Sequence, residues 1–103
     1  MNMEIKQYQD YVHRGFVSRA ELGKPMDPDS IILEMIGELG EVLNAYKHAR
    51  RWPDPAATEE EHLAEELGDL LWYIFATCDT LGFNVEQVIK NNIHKLNGRY
   101  GTR

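Results

Sequence analysis

Apolar residues recur along this chain at the three- and four-residue spacing of an α-helix. The first stripe comprises Ile5, Tyr8, Val12 and Phe16, and it predicts a helix over residues 3–20. No segment shows the sustained alternation of apolar and polar residues that is typical of a half-buried β-strand. The pattern therefore predicts an all-α fold.

Glycine, proline and capping residues divide the rest of the chain into three more predicted helices. Asp29 or Ser30 is suited to cap the second helix, and Asn84 is suited to cap the fourth. Thr58–Glu61 has the form of a capping box at the start of the third helix, and Gly82 marks its end. The predicted ranges are about 30–50, 58–81 and 84–98.

The third predicted helix contains a segment, Leu70–Ala76, that is apolar almost all the way round. A surface helix of a small monomer has a narrower apolar stripe, because one of its faces meets water. A subunit of 103 residues has little material to cover such a helix on every side. We therefore expect a homo-oligomeric helical bundle.

Length and charge limit the classes of protein that fit this sequence. The 103 residues predict a single domain, 1–103, and the net charge of −6 argues against a nucleic-acid groove binder. We find neither an apolar run of membrane-spanning length nor the apolar core of a signal peptide. The lone Cys78 lies in an apolar run and is expected to be a buried thiol. Together these features predict a cytoplasmic protein with no membrane partner.

Acidic residues stand on the apolar second and third helices at helical spacing. Glu34, Glu38 and Glu41 are four and three residues apart, so they share one face of the second helix. Glu66 and Asp69 repeat the arrangement on the third helix. Like charges at these spacings repel, and the apolar neighbours draw them toward a packed surface. This combination is unusual for solvent-facing charge.

The two acidic sets are predicted to lie at the same level. Glu41 lies nine residues before Arg50, and Glu66 lies eight residues after Thr58. With a rise of about 1.5 Å per residue, both lie about 12–14 Å from the connecting loop. If the helices form an antiparallel hairpin, the following carboxylates converge: Glu38, Glu41, Glu66 and Asp69.

Four convergent carboxylates repel one another unless a cation lies among them. Hard oxygen ligands select Mg²⁺ or Mn²⁺ over zinc, which prefers His and Cys. We therefore predict that Glu38, Glu41, Glu66 and Asp69 bind Mg²⁺, with Mn²⁺ as an alternative. The acids Glu59, Glu60, Glu61 and Glu65 are interpreted instead as solvated helix charge.

These acids stand in two short motifs, Gly37-Glu38-Leu39-Gly40-Glu41 and Glu65-Glu66-Leu67-Gly68-Asp69. The pair of motifs resembles the E-x-x-E and E-x-x-D signature of the MazG-type all-α nucleoside triphosphate pyrophosphohydrolases, a family that includes a deoxycytidine-triphosphatase branch. The tail Asn92–Gly101 also resembles the end of that family. Where the family often carries a second acid, this chain has Met35, which leaves Glu34 alone.

The resemblance implies a four-helix subunit of the MazG-like type, assembled as a homodimer or as a tetramer built from dimers. It further implies magnesium-assisted hydrolysis of a nucleoside triphosphate to its monophosphate and pyrophosphate, with Glu38, Glu41, Glu66 and Asp69 as the catalytic residues. The implied physiological role is the clearing of noncanonical or surplus nucleotides. Asn92, Lys95 and Arg99 are expected to bind the substrate phosphates. Trp52 either stacks on the base or caps the hairpin as a loop aromatic.

Other functions remain open at the level of sequence. A phosphoribosyl-ATP pyrophosphohydrolase shares both the chemistry and the fold. A helical adaptor or regulator without catalysis is the alternative from another class, although it would have no need for acids on apposed helix faces. Glu59-x-x-His62 matches half of a di-iron carboxylate motif, but the partner half is missing.

Overall fold

The computed structural model describes residues 2–24, 26–51 and 58–100, and within them every regular element is a helix. The four helices are α1 (Ile5–Glu21), α2 (Pro28–Arg51), α3 (Thr58–Leu81) and α4 (Val85–Tyr100). The prediction of an all-α chain of four helices is therefore confirmed. The oligomeric part of that prediction concerns partner copies and stays a prediction.

The start of α2 differs from its prediction. The helix begins at Pro28, and the backbone N–H of Ser30 donates to Asp27 Oδ1 at 3.3 Å. Asp27 therefore lies in the capping position that the sequence pattern gave to Asp29 or Ser30. The reason is that proline is well suited to the first helical position, where its missing N–H costs no hydrogen bond.

The other helix ends follow local sequence signals. Gly82 has φ +77°, and after it Asn84 Oδ1 accepts a 2.9 Å hydrogen bond from the N–H of Gln87. The predicted glycine stop and asparagine cap are thus confirmed. At the other end of the chain, the N–H of Glu4 donates to Gln7 Oε1 at 2.7 Å and fixes the first turn of α1. Tyr100 extends α4 two residues beyond its predicted end.

Helices α2 and α3 form the predicted antiparallel hairpin. Near the connection, His48 Nδ1 of α2 lies 2.9 Å from Glu59 Oε2 of α3. Toward the other end of the hairpin, the Thr77 hydroxyl contacts Met35 Sδ at 4.0 Å. The pairing of a late α2 residue with an early α3 residue, and the reverse, establishes the antiparallel order.

The hydrophobic core lies where α1 crosses the hairpin. Val12 of α1 and Ile31 of α2 are fully buried there, and Phe75 of α3 meets the Tyr8 ring edge-on at a centroid distance of 4.8 Å. Cys78 is buried in the same cluster, as expected, and burial raises the pKa of its thiol. The core therefore ties α1 to the hairpin.

Gln9 of α1 holds the start of α4 with both ends of its amide. Its Nε2 donates to the Phe83 carbonyl at 3.0 Å, and its Oε1 accepts a 3.0 Å hydrogen bond from the N–H of Val85. The main packing partner of α4 is α1. Val85, the first residue of α4, is also buried in the core cluster, so α1 and the core together fix the position at which α4 begins.

Much of the outer surface of the hairpin is apolar and exposed. On α2, Leu33 is 68%, Ile36 61% and Leu39 56% exposed, while Leu71 of α3 is 51% exposed. The all-round apolar segment is thus only partly covered within one subunit. Among the described residues, no helix combines the length and hydrophobicity needed to cross a membrane.

Candidate active site

Three of the four predicted metal ligands meet on facing surfaces of the hairpin. Glu38 of α2 and Glu66 and Asp69 of α3 each place a carboxylate oxygen within 4.8 Å of the others. Glu66 and Asp69 share a helix face because they are three residues apart. We call these three residues the acidic trio. Helix packing therefore creates the cluster from segments that are far apart in sequence.

Glu38 is the most constrained member of the acidic trio. Its Oε2 is buried and finds no hydrogen-bond donor among the described residues. Burial raises the pKa of Glu38, and the charges of Glu66, Asp69 and Glu41 raise it further. A carboxylate oxygen removed from water with no donor is costly.

This electrostatic arrangement fits a divalent cation. A cation among the acidic trio would satisfy the orphan oxygen of Glu38 and offset the mutual repulsion of the carboxylates. The cluster offers oxygen ligands and no sulfur, which suits Mg²⁺ or Mn²⁺. Glu38 and Glu66 are half-buried and Asp69 is exposed, so the trio also has an open side.

Glu41 lies outside the acidic trio, on the side nearer the hairpin connection. Three residues turn a helix by about 300°, so the Glu41 side chain is offset around α2 from that of Glu38. It lines a separate cavity of about 270 Å³ together with His48, Glu59 and His62. Its charge nonetheless contributes to the raised pKa of Glu38.

His62 connects that second cavity to the acidic trio. Its Nε2 lies 3.7 Å from Glu66 Oε1, one helical turn away on α3. In the sequence, His62 was assigned only to one half of a di-iron carboxylate motif. In the structure it stands beside a predicted magnesium ligand, and it is half-exposed to water.

A larger cavity, of about 560 Å³, opens beside the acidic trio between α1 and the hairpin. We call it the α1 cavity. Glu38 and Asp69 form its acidic side. The remaining side chains that line it are aromatic or basic: Tyr8, Tyr11, Arg19, Trp72 and Tyr73.

The walls of the α1 cavity are held by contacts between these side chains. The Tyr8 and Tyr11 rings stack at 6.0 Å, and burial, then Tyr11, then Asp69 raise the pKa of Tyr8. The Trp72 and Tyr73 rings meet edge-on at 5.2 Å. An aromatic cavity next to carboxylates suits a ligand that has both a flat ring and a charged group.

The predicted substrate-binding residues of the tail lie elsewhere in the subunit. Asn92, Lys95 and Arg99 are exposed on α4 and do not line the α1 cavity. Trp52 falls outside the described residues. Glu34 is exposed on α2, and its charge adds to the burial that raises the pKa of Tyr73.

Sequence reasoning missed the contribution of α1 to this region. It treated Tyr8 as part of a packing stripe and gave no role to Tyr11 or Arg19. One signal was present, because Arg19 stands three residues after Phe16, where the apolar stripe would continue. A charged residue at a packing position can belong to a functional site. The surface that Arg19 contacts could not be identified, however, without knowing how α1 crosses α3.

Comparison with known proteins bears on the hairpin and the tail. The sequence model of the MazG nucleotide pyrophosphohydrolase domain matches residues 26–103. The chain is 32% identical over 71 residues to the "Gene 37 protein" of Mycobacterium phage L5, an alignment that covers 67% of this chain and 62% of the phage protein. It is 33% identical over 73 residues to the "Uncharacterized protein YvdC" of Bacillus subtilis (strain 168), covering 67% of this chain and 69% of that protein.

The phage protein is longer than the region it shares, and the chain spans about three fifths of its length. The matched family segment contains all of α2, α3 and α4, together with the acidic trio, whereas α1 precedes it. With a family match over most of its residues, the chain belongs to the MazG nucleotide pyrophosphohydrolase domain family.

Proposed function

We propose that this protein hydrolyses a nucleoside triphosphate or deoxynucleoside triphosphate to its monophosphate and pyrophosphate, with Mg²⁺ as cofactor. Membership of the family supports nucleotide pyrophosphohydrolysis in general. The observation that carries the finer proposal is the acidic trio beside an aromatic cavity large enough for a nucleotide. The physiological role that we propose is removal of noncanonical or surplus nucleotides.

In this proposal the acidic trio holds the metal. When held there, Mg²⁺ would neutralise part of the phosphate charge and would lower the pKa of the attacking water. The unpartnered Oε2 of Glu38 and the exposed carboxylate of Asp69 support this assignment, because one needs a cation and the other is accessible to substrate. Glu41 acts on the site through its charge, from one side.

The bond that we propose to be cleaved joins the α-phosphorus to the bridging oxygen of the pyrophosphate group. Water adds its oxygen to the α-phosphorus, its proton passes to solvent or a carboxylate, and pyrophosphate leaves with the electrons of the broken bond. Positive side chains near the leaving group would stabilise its developing charge. We propose Lys95 and Arg99 for that task, with Asn92 on the same helix.

We assign that role to α4 of a second copy of the chain, because the three residues do not line the α1 cavity of their own subunit. We propose a homodimer, or a tetramer built from dimers. The exposed leucine and isoleucine side chains of the hairpin support this, since a monomer would leave a large apolar surface in water.

A substrate panel tests the proposed function. Purified protein is incubated with Mg²⁺ and each common or noncanonical nucleoside triphosphate, and also with phosphoribosyl-ATP, and the products are separated. We expect monophosphate and pyrophosphate from at least one nucleoside triphosphate. Release of orthophosphate with a nucleoside diphosphate would reject the pyrophosphohydrolase assignment.

Hydrolysis in ¹⁸O-labelled water locates the attack. Label in the monophosphate supports attack at the α-phosphorus, whereas label in pyrophosphate places it at the β-phosphorus. Asp69→Asn should show no label transfer above background, while Glu65→Gln, an exposed neighbour on α3, should behave as the wild type. Equal activity in both variants would remove the acidic trio from the mechanism.

A further inference from the structure

Arg19 is the one cation among the described residues that line the α1 cavity. It stands on α1, which lies before the segment matched by the family model. On the same cavity wall, Glu38 and Asp69 belong to the acidic trio. The guanidinium of Arg19 and two carboxylates of the acidic trio therefore line the same cavity.

Aromatic packing, and not an ion pair, holds Arg19 in place. Its guanidinium carbon lies 4.1 Å from the centroid of the Trp72 ring, which is cation–π distance. Helix α1 comes close to this ring, since a Cβ added at Gly15 would lie 3.6 Å from the indole. Burial raises the pKa of the Tyr73 hydroxyl, and the nearby Arg19 side chain opposes part of that rise.

No carboxylate of the described residues forms an ion pair with Arg19. The cation–π contact with Trp72 therefore leaves N–H donors of the guanidinium without a carboxylate partner among the described residues. Arg19 is only half-buried, so these donors are accessible from the cavity. A preorganised guanidinium with free donors matches two phosphate oxygens better than a lysine ammonium does.

We propose that Arg19 is a phosphate-binding residue of this protein and that α1 thereby completes its substrate site. The ligand class is the di- or triphosphate group of a nucleotide, with pyrophosphate as the smallest member. The inference rests on the proposed function for the identity of the substrate. It gives the site a cation within its own subunit, which the exposed residues of α4 do not.

The balance of charges at the site favours a positively charged side chain in the α1 cavity. The acidic trio contributes three negative charges and a triphosphate contributes about four, whereas one Mg²⁺ supplies only two positive charges. Additional positive charge within the cavity favours the approach of the substrate to the carboxylates. Arg19 provides it at a position already fixed by Trp72.

Direct binding of inorganic pyrophosphate to the full chain tests this proposal without turnover. Isothermal titration is performed with and without Mg²⁺ on the wild type, Arg19→Met and Lys6→Met, the last removing an exposed positive charge from the same helix. We expect Arg19→Met to weaken pyrophosphate binding by about 10- to 100-fold, as for loss of charge-assisted hydrogen bonds. Lys6→Met should stay within about twofold of the wild type, as expected for an exposed residue with little effect.

Two further measurements separate binding from folding. Titration with Mg²⁺ alone should give the same affinity in Arg19→Met and the wild type, because Arg19 is no metal ligand. Circular dichroism establishes that the variant keeps its helices, and if Arg19→Met does not fold, Arg19→Gln decides in its place. With the nucleotide substrate, we expect the KM to rise more than the kcat falls.

The outcomes distinguish this inference from the proposed function. The role of Arg19 is overturned if the folded variant binds pyrophosphate as tightly as the wild type does. It is also overturned if the wild type does not bind pyrophosphate, even if nucleotides are hydrolysed. Arg19-dependent binding in a protein that hydrolyses no nucleoside triphosphate supports the anion site and rejects the proposed function alone.

Discussion

Replacement of Glu38 by glutamine should stabilise the metal-free protein at neutral pH. The variant keeps the size and shape of the side chain and removes its charge from the acidic trio. At 4.8 Å, each repulsive pair is worth about 0.9 kcal/mol in water and about 3.5 kcal/mol at an effective dielectric constant of 20. Because the trio has an open side, we place the total for two pairs near the lower value, at about 1–2 kcal/mol.

The pH dependence provides the sharper test. Since the pKa of Glu38 is raised in the folded protein, its protonated form is favoured by folding, and stability is lost as pH rises from the ordinary value of 4.5 through the folded pKa. Glutamine has no such loss. The melting temperature of Glu38→Gln minus that of the wild type should therefore grow as pH increases, reaching about 5–10 °C at pH 8 for a chain of this size.

Thermal melts in EDTA between pH 4 and 8, followed by circular dichroism, measure this difference. Glu65→Gln is the matched control, because Glu65 is an exposed neighbour of Glu66 outside the acidic trio. Saturating Mg²⁺ should reverse the order of stability, since it stabilises the wild type by about 2.7 kcal/mol at a hundred times its Kd. A variant that melts below the wild type at pH 8 in EDTA would refute the repulsion argument.

The remaining predictions concern the scaffold and the assembly. Asp69→Asn should abolish hydrolysis while far-ultraviolet circular dichroism shows unchanged helicity, because four helices supply the core without metal; lost helicity would contradict this division. Light scattering of the wild type at micromolar concentration should give a molecular mass that is a multiple of 11.9 kDa. Leu39→Glu, which places a charge on the exposed apolar surface, should lower this mass toward 11.9 kDa. A monomeric wild type would refute the proposed assembly. Gly82→Ala should lower the free energy of unfolding by about 1 kcal/mol, because Gly82 has φ +77°. Gly98→Ala, inside α4, should instead raise the melting temperature. Equal effects of the two variants would contradict this backbone argument.

Helix bounds and the level of the acidic trio could be predicted from the sequence because both follow from local rules. Gly82 and Asn84 mark their helix ends through backbone and side-chain geometry within a few residues. The convergence of Glu38 with Glu66 and Asp69 follows from the constant rise of a helix and an antiparallel hairpin. These parts need no knowledge of long-range packing.

Parts of the site that depend on packing between separate helices could not be predicted. The direction in which α1 crosses α3 decides that Arg19 lies over Trp72, and no local pattern encodes that crossing. The same limit explains why Glu41 lies outside the acidic trio. Its distance from the loop was predicted correctly, but its position around α2 directs its side chain to a neighbouring cavity. For α4, resemblance predicted contact with phosphates, while the packing of a single subunit places it against α1.

We expect the two hydrogen bonds of the Gln9 amide to couple the unfolding of α1 with that of α4. The first turn of α4 cannot open without breaking a contact to α1, because the N–H of Val85 donates to Gln9 Oε1. In native-state hydrogen exchange, the amide proton of Val85 should exchange together with those of α1 and independently of the outer half of the hairpin. Loss of α1 would then release α4 as well, although 63 residues separate Glu21 from Val85.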